Sequence, residues 1–281
     1  MFQKELWKLY VFGKQTIREL ALTFNKDRRT LRVLLNAYIS KTKQHKPRSI
    51  NLVVDGTYFG ERIEASSWCV VVARDAKTQE NLWWTFCSSE TTAVYRSMRA
   101  DLEQLGYTIL SVTGDGFGGI KQAFSGIPYQ MCHVHMERLI IKGTTRRPKL
   151  EAGIVLLALI RHIKDTDSQT FNRYLRNYIE KYRMFLNERS FNYITGQDQW
   201  THEPLRSALR SLIAFEPFLF TYETTLNTPK TTNSLEGHFR HINEVVAIHC
   251  GLRREHKERV IHTILLAGTI APSEKTLKDI L

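Results

Sequence analysis

The stretch LVVDGTYFG, residues 52–60, decides the fold. Leu52, Val53 and Val54 form an unbroken apolar run, the mark of a strand buried on both faces. The run ends at Asp55, followed by Gly56. A carboxylate at the edge of a core is costly to keep charged, so Asp55 needs a cation or a donor to face. The pattern returns in SVTGDGFGG, residues 111–119, where Asp115 also closes an apolar run and precedes a glycine. Either acid alone reads as the start of a turn, since Asp-Gly is a common turn pair. A strand-crossover-strand connection brings its strands together, so the strand before Asp115 can lie beside the strand before Asp55. Two carboxylates on adjacent strand ends suit a hard divalent cation.

Working outward, INLVVD, SWCVVVARD and ENLWWTFC each have the β-branched or aromatic character of a strand. Residues 91–105 read as an amphipathic helix with Val94, Met98, Leu102 and Leu105 inward. YTILSVTGD predicts a fourth strand, GGIKQAF a short helix and IPYQMC a fifth strand. The order is β-β-β-α-β-α-β. Residues 133–225 read as helical throughout, and 233–248 and 254–268 as helices again.

Before this core, KQTIRELALTFNKDRRTLRVLLNAY has the form of a helix-turn-helix. Thr16 and Glu19 make a capping box ahead of Ile17, Leu20, Ala21 and Phe24. Asn25 suits a left-handed turn and Asp27 a second cap. The second helix buries Leu31, Leu34 and Leu35 and shows Arg28, Arg29 and Arg32 to solvent, as a helix reading a DNA groove would. A helical hairpin with a solvated basic face has the same pattern. Lys41, Lys43, Lys46 and Arg48 follow in SKTKQHKPRS, a basic linker suited to a phosphate backbone, or a plain spacer.

The 281 residues carry a net charge of +12 at pI ≈ 9.6, which points to a polyanionic partner, DNA or RNA first. No apolar run approaches a membrane span, and the charged N-terminus lacks the core of a signal peptide. The sequence therefore predicts a soluble intracellular protein. Its four cysteines form no Cys-x-x-Cys pair, which argues against a disulfide scaffold or a zinc ribbon.

This constellation resembles the DDE transposases of the Mutator-type superfamily and their bacterial insertion-sequence relatives. Asp55 and Asp115 stand where that family carries its first two acids. PKTTNSLEGHFRHINEVV supplies Glu236 in a Thr-Thr-Asn-x-x-Glu context, and MCHVHMERL supplies the Cys-x-x-His as Cys132 and His135. Asp115 follows Asp55 by 60 residues and Glu236 follows Asp115 by 121, the longer gap matching members with an all-helical insertion. The resemblance implies an α/β fold, an RNase H-like mixed five-stranded sheet interrupted by that insertion. The divisions are a helix-turn-helix over 1–39, a linker over 40–49, a core over 50–135, the insertion over 136–230, and C-terminal core helices over 231–281. Two features depart from the pattern: no N-terminal Cys-pair ribbon is present, and His133 falls inside the Cys-x-x-His.

The resemblance further implies that Asp55, Asp115 and Glu236 are catalytic and hold Mg²⁺, with Mn²⁺ able to substitute. Cys132, His135 and Asn233 would support them, and Trp200 would stack on an unpaired base. Each has a plainer reading: Asn233 and Glu236 as a capping box, Trp200 as a core anchor, Cys132, His133 and His135 as packing. Those three give only half a zinc site, with His249, Cys250 or His256 as distant fourth ligands, so structural zinc is not expected. The implied activity is DNA transposition, acting on element ends and target DNA as a dimer or larger homo-oligomer, in the bacterial cytoplasm on the nucleoid. An RNase H-fold nuclease or resolvase, or a transposase-derived DNA-binding protein, would share many of these features.

Overall fold

The computed structural model describes residues 2–60, 67–249, 251–269 and 272–281. It opens with three helices, α1 (Phe2–Val11), α2 (Ile17–Phe24) and α3 (Arg28–Asn36). Strands β1 (Ser49–Phe59), β2 (Trp68–Asp75) and β3 (Asn81–Cys87) come next, then α4 (Thr92–Gln104), β4 (Thr108–Gly114), α5 (Gly118–Ala123) and β5 (Tyr129–Met131). Helices α6 (His133–Thr144), α7 (Glu151–Arg161), α8 (Ser168–Lys181) and α9 (Arg183–Leu186) lead to strands β6 (Arg189–Asn192) and β7 (Gln197–Trp200). The chain closes with α10 (Glu203–Phe215), α11 (Thr221–Thr224), α12 (Asn233–Ile248), α13 (Arg254–Ala267) and α14 (Glu274–Ile280).

The five long-range strands form one mixed sheet in the order β3-β2-β1-β4-β5. β2 and β3 pair antiparallel, with a register shift between Ala73 and Arg74, while β4 and β5 pair parallel. Every residue of β2 is buried, as its run of valines requires. Cys69 and Cys87 face each other across β2 and β3 as free thiols with their sulfurs 3.3 Å apart.

Two compact units divide the chain, the first holding residues 1–49, 55–108 and 233–281, the second 50–54 and 109–232. In the first unit the expected local devices are present. Thr16 and Glu19 form a capping box, Asn25 takes the left-handed conformation at φ 47°, and the Asp27 side chain caps α3. Leu31 and Leu35 are buried, Leu34 is half-buried, and Arg28, Arg29 and Arg32 are exposed. The N-terminal helices are anchored to the C-terminal ones. Trp7 stacks on Tyr38 and donates its indole N–H to Thr263 at 3.1 Å, and the Tyr38 hydroxyl reaches the Leu281 carbonyl.

The basic stretch over residues 40–49 is tied down as well. Lys41 donates to the Lys278 carbonyl, Lys43 pairs with Glu80, and Arg48 pairs with both Asp75 and Glu80 at 2.8 Å. Two of the four cations are thus neutralised by acids of their own chain, and Lys46 is exposed.

In the second unit α6 packs against α7 and α10, and α8 against α7. The expectation that residues 133–225 are helical throughout is corrected here, because β6 and β7 form an antiparallel hairpin from Arg189↔Trp200 to Asn192↔Gln197. Its turn is set by Asn192, whose side-chain oxygen accepts from the Ile194 and Thr195 amides at 2.9 and 3.2 Å. Such an Asx turn competes with helix. Trp200 ends this hairpin under the guanidinium groups of Arg189 and Arg206, 4.5 and 3.8 Å from its ring centre.

Candidate active site

Asp55 lies on β1 directly after the buried Val54 and is itself only 8% exposed. Its Oδ1 accepts the Gly56 amide at 2.8 Å. Gly56 is there because of a close approach: a Cβ at that position would stand 2.7 Å from Oε1 of Glu90. The Glu90 carboxylate therefore lies against the backbone beside Asp55. It is held by the Tyr95 hydroxyl at 2.6 Å, while the Glu90 amide donates to the Tyr58 hydroxyl at 3.3 Å. Sequence reading missed Glu90, which sits in the polar loop SSETT with no apolar run to point at it.

Asp115 is the first residue after β4 and is half-buried. Its Oδ1 accepts the Phe117 amide at 2.9 Å, and no donor bonds its other oxygen among the described residues. Gly116 adopts φ +98°, which a side chain would strain, and its amide donates to the Tyr129 hydroxyl at 3.0 Å. Burial first, then the Asp115 charge, pushes the Tyr129 phenol well up, so it stays protonated beside the acid.

Glu236 is half-buried in the first turn of α12. That turn is fixed by Arg74, a 4%-exposed residue of β2 that the sequence reading did not single out. Its guanidinium donates to the Ser234 carbonyl at 2.7 Å and to the Gly268 carbonyl at 2.6 Å. Burial lowers Arg74 to about 10, which leaves it charged at neutral pH. His238, one turn further along α12, receives the Asn81 amide at Nε2, at 3.2 Å. Asn233 opens the helix as its first residue, and its side chain makes no hydrogen bond that would cap it among the described residues.

The segment leading to α12, residues 228–232, is stitched into the second unit by a buried polar ladder. Ser111 and Thr113 lie two apart on β4 and so share a face. The Thr228 hydroxyl donates to Ser111 at 2.9 Å, Ser111 donates to Asn51 at 2.6 Å, and Thr113 donates to the Pro229 carbonyl at 2.8 Å. The His133 amide takes the Lys230 carbonyl at 3.0 Å. The Cys-x-x-His motif closes the ladder: the Thr232 amide and hydroxyl point at the Cys132 sulfur from 3.3 and 3.5 Å, and the hydroxyl is 3.4 Å from His135 Nδ1. Burial pushes the Cys132 thiol up, but hydrogen bonds from His135 and Thr232 outweigh it and hold the thiol below its ordinary value.

His133, the extra histidine, turns away from this ladder. Its Nε2 lies 2.7 Å from the Leu219 carbonyl, and burial lowers its pKa. Of the distant zinc candidates, His249 meets the Tyr10 carbonyl at 2.9 Å, His256 meets the Asn36 side chain, and Cys250 lies outside the described residues.

Among the described residues no group of three or more His, Cys, Asp or Glu is gathered as a ready metal cage. The donor chemistry of the three sequence-predicted acids is still that of a hard cation: carboxylates only, with one oxygen of Asp115 unbonded among the described residues. On α3, Arg28, Arg29 and Arg32 are exposed, and no acid pairs with them among the described residues. No family model matches the chain, and no curated protein matches it. Among the described residues no helix is long and apolar enough to cross a membrane.

Proposed function

We propose that the chain is a DDE-type DNA transposase with an RNase H-like core. The observation that carries this reading is the strand order 3-2-1-4-5, with one acid on central strand β1 and another immediately after β4. Two further observations support it. Glu236 sits in a helix turn held by a buried arginine, and the exposed arginines of α3 follow a well-capped helix-turn-helix.

In this reading Asp55, Asp115 and Glu236 hold Mg²⁺ or Mn²⁺. Divalent ions held by carboxylates activate an attacking water or 3′-hydroxyl and stabilise the departing 3′-oxygen of a phosphodiester. The chain's own residues supply the placement. The Gly56 amide orients Asp55, the Phe117 amide orients Asp115, and Arg74 fixes the turn that carries Glu236. Pre-set carboxylates of this kind need no reorganisation when the substrate arrives. The basic surplus supplies affinity for DNA ends and for target DNA.

The test is a joining assay. With Mg²⁺ or Mn²⁺, the terminal sequences flanking its own gene and a target plasmid, the protein is expected to yield covalently joined products from intact and from pre-cut ends. Nicking without joining, even from pre-cut ends, would replace the transposase reading with a nuclease or resolvase.

A further inference from the structure

A groove of about 450 Å³ runs between α1, the end of α3 and the start of α13, all within the first unit. Its floor is apolar, formed by buried Trp7, Tyr10 and Leu35. Its rim carries two guanidinium groups, Arg32 from α3 and Arg253 from the residue preceding α13. Three neighbouring cations are engaged, Lys8 with Glu274, Lys14 with Glu244 and Arg254 with Glu258. Arg32 and Arg253 have neither an ion pair nor a hydrogen-bond acceptor among the described residues, and both are exposed. The groove is also braced. Asn36, the last residue of α3, is gripped by His256 through its side chain and by Arg259 through its carbonyl, so the two helix ends keep their spacing.

We propose that Arg32 and Arg253 clamp one DNA phosphodiester in the groove between α3 and the N-terminus of α13. The inference rests on the DNA-binding reading of α3 and extends it to a helix outside the helix-turn-helix. The argument is one of charge complementarity. Two unpaired guanidinium groups on one rim provide a fork of donors for phosphate oxygens. Arg253 is extended at φ −63°, ψ 155° and gives α13 no side-chain cap, so the helix dipole adds to the same anion attraction. Glu255 in the first turn of α13 opposes it. A contact of this kind positions the duplex without reading bases.

Duplex binding by the full-length protein, followed by fluorescence anisotropy across a salt series, tests the clamp. Arg253→Ala is expected to weaken cognate and random duplexes alike, by about 3- to 10-fold, and to flatten the log–log salt slope by about 1. Arg253→Lys should recover part of the loss, since lysine restores the charge without the fork. Glu255→Gln should tighten binding, a gain that no folding defect can mimic. A variant that melts like the parent yet keeps its affinity and salt slope overturns the clamp. So does a groove that binds a free mononucleotide through Arg253 while duplex affinity is unchanged by Arg253→Ala. A parent protein that binds no duplex at low salt overturns the underlying DNA reading instead.

Discussion

Arg74 donates from Nη1 to the carbonyl of Ser234 at 2.7 Å, two residues before Glu236. A charged guanidinium on a buried strand is thus bonded to a carbonyl in a helix's first turn, and its other arm reaches the Gly268 carbonyl at 2.6 Å. Buried charge is better tolerated where its donors are used, and here both terminal nitrogens are, while Nε has no partner among the described residues. Replacing Arg74 with Met keeps the bulk and leaves both carbonyls without this donor, at about 1–3 kcal/mol each. Arg74→Met is therefore expected to lower the denaturation midpoint and to reduce DNA cleavage beyond what the lost folded fraction explains. Denaturant titration alongside single-turnover cleavage, normalised to folded protein, makes the comparison. Unchanged cleavage per folded molecule would confine Arg74 to stability.

Gly56 gives a second expectation. The Glu90 oxygen occupies the space a Cβ would take, at 2.7 Å. Gly56→Ala must push Glu90 off its Tyr95 hydrogen bond or bend β1 beside Asp55. A loss of about 1–3 kcal/mol is expected, in the range of overpacking a filled site. Pairing the change with Glu90→Ala should restore much of the stability, and a double-mutant cycle measures the coupling. Additive effects would show that the two residues do not press on each other.

Much of this was legible from residue order. Short runs of β-branched, aromatic or other apolar residues announced all five sheet strands, and Thr16, Asn25 and Asp27 announced the turns of α1–α3, because these signals are local. What escaped was non-local. Glu90 and Arg74 matter through partners found only after folding, Gly56 for the one and Ser234 and Gly268 for the other, and no spacing in the chain encodes those contacts. The β6–β7 hairpin escaped for a different reason. The two strands are four residues each, too short to announce a period, and the deciding signal was the single side chain of Asn192 bending the turn. Residues 40–49 looked like a free linker because their cations stand out in sequence, whereas Asp75 and Glu80, which bind two of them, lie more than 25 residues on. Of the candidate site, the Cys-x-x-His motif was visible as letters, but its tie to Thr232 was not, since 100 residues separate the two.

Acid should weaken the fold through His238. Burial first, then the Arg74 charge and His241, holds this histidine down at about 3. The neutral ring accepts the Asn81 amide at Nε2, and protonation would turn that acceptor into a donor. An unfolded histidine titrates near 6.5, so the unfolded chain binds the proton first. Stability from this group is present in full above about pH 6.5 and falls as pH drops toward 3, by about 1.4 kcal/mol per unit. Urea unfolding at pH 7 and pH 5 is expected to show the loss, and His238→Gln, which cannot titrate, should show less of it. Equal pH dependence in parent and variant would mean that other groups govern acid stability.

Affinity and chemistry should separate cleanly between α3 and β1. Arg28, Arg29 and Arg32 are exposed cations, remote in sequence from the acids and free of salt bridges among the described residues. Alanine at all three is expected to weaken binding to the cognate end, at about 1–3 kcal/mol for each side chain that reads a base, and to narrow the gap between cognate and random DNA. Asp55→Asn removes one charge while keeping the shape of a residue that is 8% exposed. It should leave end binding near the parent value and abolish both cutting and joining, since a carboxamide is a far poorer ligand for a hard cation. Binding titrations without divalent ion, followed by cleavage with Mg²⁺ and with Mn²⁺ on the same protein preparations, place the two variants on separate axes. Full cleavage by Asp55→Asn would remove Asp55 from the active site and the DDE assignment with it. Cognate binding unchanged by the triple alanine variant would instead leave α3 as a helical hairpin with a solvated basic face.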